Sequence, residues 1–253
     1  METQVVKTKK NEVAVAQDMD AWGGQTVTSN DILIAKIWPL QFMSEKVKLK
    51  QGEYGEFRDS VNNEKFGDLN TPFEFIPFYM EKKWMEFDIV TNKAGARKRE
   101  FKQVVPIVDN ATAVGYNDNL PYVDLEANVE RDRCMDFYLL VPAEVEAGTE
   151  LPYVVTFKRT SLKAGKKLAM QMFVRNFQAG KVPAAIVHDL SGKSVQNDDG
   201  EYVVSDVTPK REATAKELAA GLRWLRQVRA GKTKVDASDS DVAERVAPEV
   251  GAF

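Results

Sequence analysis

Two fragments of the chain imitate phosphate-binding loops, SGKS at 191–194 and AGKT at 230–233. A phosphate loop needs a glycine five residues before its Gly-Lys pair, so that successive backbone amides cradle the anion. Those positions are Val187 and Arg226, and AGKT follows a helical pattern instead of opening one, so both matches fail. The single histidine, His188, lies in AAIVHDLSG, which alternates like a strand, and it reads as a satisfied structural residue and not a base. No GxSxG elbow offers a serine nucleophile. The single cysteine, Cys134, allows neither an intramolecular disulfide nor a cysteine metal cluster. Two-metal nucleases use clustered carboxylates, and Asp118, Asp124, Glu126, Glu130 and Asp132 lie close in sequence. No recognisable motif orders them, and a solvated acidic loop is the preferred reading. The expectation is a protein that is not an enzyme and that uses no cofactor or metal.

What remains is charge. The chain has 253 residues and a formal net charge of −3. Yet FKRTSLKAGKKLAMQMFVR, residues 157–175, carries Lys158, Arg159, Lys163, Lys166, Lys167 and Arg175 and no acid. Lys163, Lys166 and Lys167 stand at i, i+3 and i+4, one surface of a helix. The stretch 91–102 reads as a basic loop containing Arg97, Lys98 and Arg99. Acid gathers elsewhere, in 116–136 and in a tail that includes Asp239 and Asp241 and ends on Phe253. Basic grooves hold single strands by tracking phosphates while aromatic rings stack on bases. Candidate rings are Tyr54, Phe57, Trp84 and Phe177. Trp84 shares a strand face with Glu86 and Asp88, which places it outward but beside carboxylates that repel phosphate.

These residues need elements to position them. Hydrophobic content of 43% and aromatic content of 9% support a packed core. No run reaches the roughly 18 apolar residues of a membrane span, and the N-terminus is not a signal peptide. A soluble intracellular protein is expected. Residues 1–28 read as a disordered lead, 29–232 as one domain, and 233–253 as an acidic disordered tail. NDILIAKIWPLQFM reads as a short helix ending at Pro39, and 52–67 as a hairpin. Strands are expected at 73–80, with Pro77 at an edge or bulge, and at 82–90, 135–142 and 151–159. A helix follows, N-capped by Ser161, burying Leu162, Leu168, Met172 and Phe173 and interrupted by Gly165. Two more strands precede a second helix, which Thr214 and Glu217 open as a capping box. Strands without βαβ alternation favour an α+β fold: an antiparallel, partly closed, OB-like sheet or barrel with two or three helices and disordered termini.

Several fragments resemble a group of tailed-bacteriophage proteins. They are Gln41 and Ser44, Gly52 and Gly55, Ser60, Glu64 and Gly67, Ile76-Pro77, and Trp84, with FKRTSLKAGKKL and QNDDGEYVV downstream. The chain departs from that group at Ala35, where relatives often have proline. Some of these proteins resemble OB-fold single-stranded DNA-binding proteins. The resemblance implies a phage-encoded single-strand binder in the host cytoplasm, acting in genome replication or recombination. The tail is similar to those of phage and bacterial single-strand binders. That similarity implies that Phe253, with Asp239 and Asp241, engages replication or recombination proteins. The alternative is a virion or scaffold component whose segregated charges pair between protomers, as they would in a homo-oligomer.

Overall fold

A computed structural model of the chain describes residues 33–42, 44–91, 97–106, 122–124, 128–197, 200–230 and 234–235. The lead 1–28 and the tail residues Asp239, Asp241 and Phe253 lie outside the described residues. The apolar run after Asn30 forms a strand, β1 (Leu33–Pro39), where a helix was expected. Ile34 enters one apolar cluster while Ala35 and Ile37 enter another, so both faces of the strand are covered. Such a strand loses the polar alternation that would distinguish it from a buried helix. A short helix, α1 (Glu45–Lys48), leads to the expected hairpin of β2 (Phe57–Asp59) and β3 (Lys65–Gly67). The Asp59 carboxylate accepts the amides of Val61, Asn62 and Glu64, which closes the turn.

The strands expected within 73–90 are one continuous strand, β4 (Phe73–Thr91). Its register on the neighbouring strand shifts between Pro77 and Tyr79, so a bulge accommodates the missing proline N–H. The basic stretch after β4 contributes a strand, β5 (Arg97–Pro106), rather than a loop alone. Likewise β6 (Tyr122–Asp124) forms in the segment expected to be an acidic loop, and β7 (Val129–Leu140) extends the strand expected at 135–142 back into that segment. Then come α2 (Pro142–Ala147) and β8 (Tyr153–Lys158). Helix α3 (Leu162–Ala169) continues into a π-helical segment (Met170–Arg175) and a last turn (Asn176–Gln178). Next come β9 (Ile186–Asn197), β10 (Gly200–Glu212), α4 (Ala215–Arg229) and β11 (Lys234–Val235).

Among the described residues the fold is α+β, with an open, mostly antiparallel sheet of 11 strands and four helices. Its main order is β10-β9-β4-β7-β8-β1-β2-β3, with β5 on β4, β6 on β7 and β11 on β1. Only β1 runs parallel to its neighbours β8 and β11 among the described pairs. Strand β4 serves two neighbours along one edge: Phe73–Phe75 pair with β9, and Lys83–Thr91 with β5. Helix α3 buries Leu162, Ala164, Leu168 and Met172 in the cluster on one sheet face. Helix α4 buries Ala220, Trp224 and Val228 in the cluster on the other. Its capping box forms as expected, and Arg211 bonds both oxygens of the buried Glu217 carboxylate at 2.7 and 2.8 Å. Among the described residues no strand covers the free edge of β10, so strand pairing does not close the sheet.

Candidate nucleic-acid interface

Helix α3 divides its residues by what β8 leaves room for. Leu162, Ala164, Gly165 and Leu168 face the sheet and are buried. Lys163 and Lys166 therefore point outward and are exposed, with Lys167 half-exposed beside them. The expected N-cap is absent: the Ser161 hydroxyl instead accepts the Ser205 amide of β10 at 3.1 Å. The helix begins after a tight 3₁₀ turn (Arg159–Ser161).

The π-helical segment then changes which side chains face outward. A π turn carries more residues than an α turn, so the face presented shifts. Met172 and Gln171 stay buried, while Met170, Phe173, Val174 and Arg175 are exposed. Phe173, expected in the core from the 3.6-residue spacing, is 41% exposed. One outer surface thus carries Lys163, Lys166, Lys167 and Arg175 with the apolar Met170, Phe173 and Val174. Lys167 lies 3.4 Å from Asp206 on β10. Burial pushes the Asp206 carboxyl up, but hydrogen bonds from Lys193 and the Val207 amide, with Lys167 close by, hold it below its ordinary range.

Other basic residues of the same sequence stretch are engaged in the fold. Arg159 bonds Asp132 at 3.0 Å and reaches Glu130 at 3.4 Å. Arg99 meets the same acids: Nη2 donates to Asp132 at 2.9 Å, and Nε lies 2.9 Å from Glu130. The Nε approach is off-line, an ion pair without a directed hydrogen bond. The Arg99 guanidinium also covers the Phe87 ring at 3.9 Å. Lys158 is half-buried and paired in register with Cys134. Arg97 and Lys98 belong to β5, but their side chains lie outside the described residues. Trp84 is 9% exposed and Phe57 fully buried, so neither presents a ring face; Tyr54 is half-buried. The Phe177 side chain lies outside the described residues.

Of the carboxylates considered for Mg²⁺, Asp118 and Glu126 and the Asp124 side chain lie outside the described residues. Glu130 and Asp132 are matched to the two arginines instead. Among the described residues no group of three acids, histidines or cysteines could hold a metal ion. No described helix is long and apolar enough to cross a membrane.

Two exposed rings escaped the sequence reading as surface candidates. Phe173 is shifted outward by the π segment, which periodicity does not anticipate. Phe42, 60% exposed, was absorbed into an apolar run read as helix. The signal that could have found it is Pro39, which ends the strand three residues earlier, with Ser44 and Glu45 opening α1 after it. No curated protein and no solved structure matches the chain. A family model described as Pam3 phage gp34-like protein matches residues 6–234, nearly the whole length, and the chain belongs to that phage family.

Proposed function

We propose that this phage protein binds single-stranded DNA through the outer face of α3 and its π-helical extension. The observation that carries the proposal is the shared exposure of Lys163, Lys166, Lys167 and Arg175 with Phe173. Cations neutralise phosphates while a neighbouring ring stacks on a base, which suits single strands of any sequence. A role in genome replication or recombination goes with this, as does partner binding through the tail residues Asp239, Asp241 and Phe253. An OB-like, partly closed sheet belongs to the same proposal, supported by the Gln41 and Ser161 side chains that accept the Val203 and Ser205 amides on β10.

Titration of a labelled oligonucleotide against salt tests it. Four neutralised phosphates correspond to a log–log slope of roughly −3, at about −0.7 each. Lys163→Gln or Lys166→Gln should each make the slope shallower by about 0.7. Duplex DNA and RNA of equal length should bind more weakly. Absence of binding at low salt, or a slope near zero, overturns the proposal. The exposed trio Met170, Phe173 and Val174 supports a second reading, a virion or scaffold component packed against a neighbour. Stoichiometric presence in purified particles would favour that reading.

A further inference from the structure

We infer that Phe42, backed by Tyr54, is a base-stacking platform on the same single-strand track as α3; this rests on the DNA-binding proposal above. An exposed aromatic residue on a loose loop would mean little. Phe42 stands on a turn fixed from several sides. The Gln41 amide donates to Val203 O at 3.4 Å through its side chain and accepts the Val203 N–H at 2.8 Å. The Gln41 backbone N–H donates to the Ser44 hydroxyl at 2.8 Å, and the Ser44 N–H returns to Gln41 O at 3.0 Å. Leu40 and Gly55 tie the turn to the strand entering β2, with bonds of 2.8 Å. The Phe42 ring meets Tyr54 edge-on, with centroids 6.3 Å apart and planes at 73°. Tyr54 is itself tethered, its hydroxyl 3.0 Å from Ser194 on β9. The edge contact holds one ring against the other and leaves Phe42 60% exposed.

The platform adjoins the basic helix through β10. Gln41 bonds Val203 and Ser161 bonds Ser205, two residues further along the same strand. Two strand residues span about 7 Å, so the turn and the start of α3 are neighbours along one edge. Near Phe42 in sequence, Lys48 and Lys50 are exposed, as are Glu45 and Glu53.

The same contacts argue for a nucleobase over a peptide. A peptide docking on a sheet edge adds a strand by pairing with its backbone groups. At Val203 and Ser205 those amides already donate to Gln41 and Ser161. Stacking on a ring needs no backbone partner, so this edge admits a base where it blocks a strand.

The test compares wild type, Phe42→Ala and the double variant Lys163→Gln/Lys166→Gln on a normal oligonucleotide and on an abasic one of equal length. Phe42→Ala should weaken binding to the normal strand at least about fivefold, with the salt slope unchanged, because stacking releases no counterion. On the abasic strand wild type and Phe42→Ala should bind alike. Phe42 fills no core, so the variant should keep its circular dichroism and melting temperature. Unchanged affinity for Phe42→Ala, while the lysine variant binds more weakly, overturns the platform and leaves the DNA-binding proposal standing. An equal loss on abasic DNA also overturns stacking. If wild type binds neither strand at low salt, both inferences fall together.

Discussion

Arg159 has a φ of +49°, a backbone conformation that usually favours glycine, asparagine or aspartate. Its ion pairs account for the strain being tolerated. Strand β7 lies antiparallel to β8 with Cys134 opposite Lys158, which brings Asp132 beside Arg159. Arg99 reaches the same carboxylate from β5. Asp132 is thus a buried acid shared by two arginines, with Oδ2 bonded to both and Oδ1 left without a hydrogen-bond partner. Removing the acid from such a pairing leaves uncompensated positive charge, so Asp132→Ala should cost about 3 kcal/mol. Arg159→Ala should cost less, because Arg99 remains on Asp132. Urea unfolding at neutral pH measures both, and a loss for Asp132→Ala no larger than that for Arg159→Ala would refute the account. The acidic and basic stretches of the sequence partly cancel at this point. Neither stretch predicts that pairing alone, since 27 residues separate Asp132 from Arg159.

At the scale of elements, Gly165 explains how α3 reaches the sheet. A Cβ at this position would lie 2.8 Å from Phe157 Cβ and 3.1 Å from its Cγ. Helix propensity alone gives Gly165→Ala a gain of about 1 kcal/mol. Overpacking against β8 costs about 1–3 kcal/mol. The expected net result is a loss of about 1 kcal/mol in urea unfolding, and a stabilised variant would show that the helix has room to move. Glycine here is a packing requirement, where the sequence alone suggests only a weak point. The second helix was legible in detail, because Thr214 and Glu217 lie within one turn and the bonds they make are local. Strand β1 was not legible, because its type depends on being covered from both faces.

At the scale of the molecule, His188 joins sheet and helix. Its Nδ1 lies 3.0 Å from the Ile186 carbonyl oxygen, and Nε2 lies 3.1 Å from the side-chain oxygen Oε1 of Gln171 in the π segment. Both oxygens are acceptors, and a neutral ring with its single N–H donates to one of them. Phe75 of β4 lies against the ring, with centroids 5.7 Å apart. Burial pulls the histidine down to about 4 from its ordinary 6.5, with Asp189 opposing the shift and Lys167 adding to it. The unfolded chain therefore takes up this proton first on acidification. The associated stability is complete above about pH 6.5 and is lost progressively toward pH 4, amounting to about 3 kcal/mol. Urea unfolding of wild type and His188→Phe from pH 8 to pH 4 checks this. The stability difference should fall by that amount, and parallel pH curves would refute the linkage.

The sequence alone determined features whose causes are local. Among them are the α+β class, the 52–67 hairpin, the capping box, the bulge at Pro77, the structural place of His188 and the lysine row at 163, 166 and 167. Each depends on spacing, on a turn, or on one residue's chemistry. Tertiary structure decided which cations of the basic stretch face outward and which are matched to acid. That choice follows from the β7–β8 register, which sets Arg159 against Asp132 and leaves Lys163 on the outer helix face. It also decided which rings are exposed. Trp84 is buried, Phe173 turns out through the π segment, and Phe42 is held out by Gln41 reaching a strand 162 residues away. Contacts over such sequence separations leave no periodicity for composition or spacing to reveal.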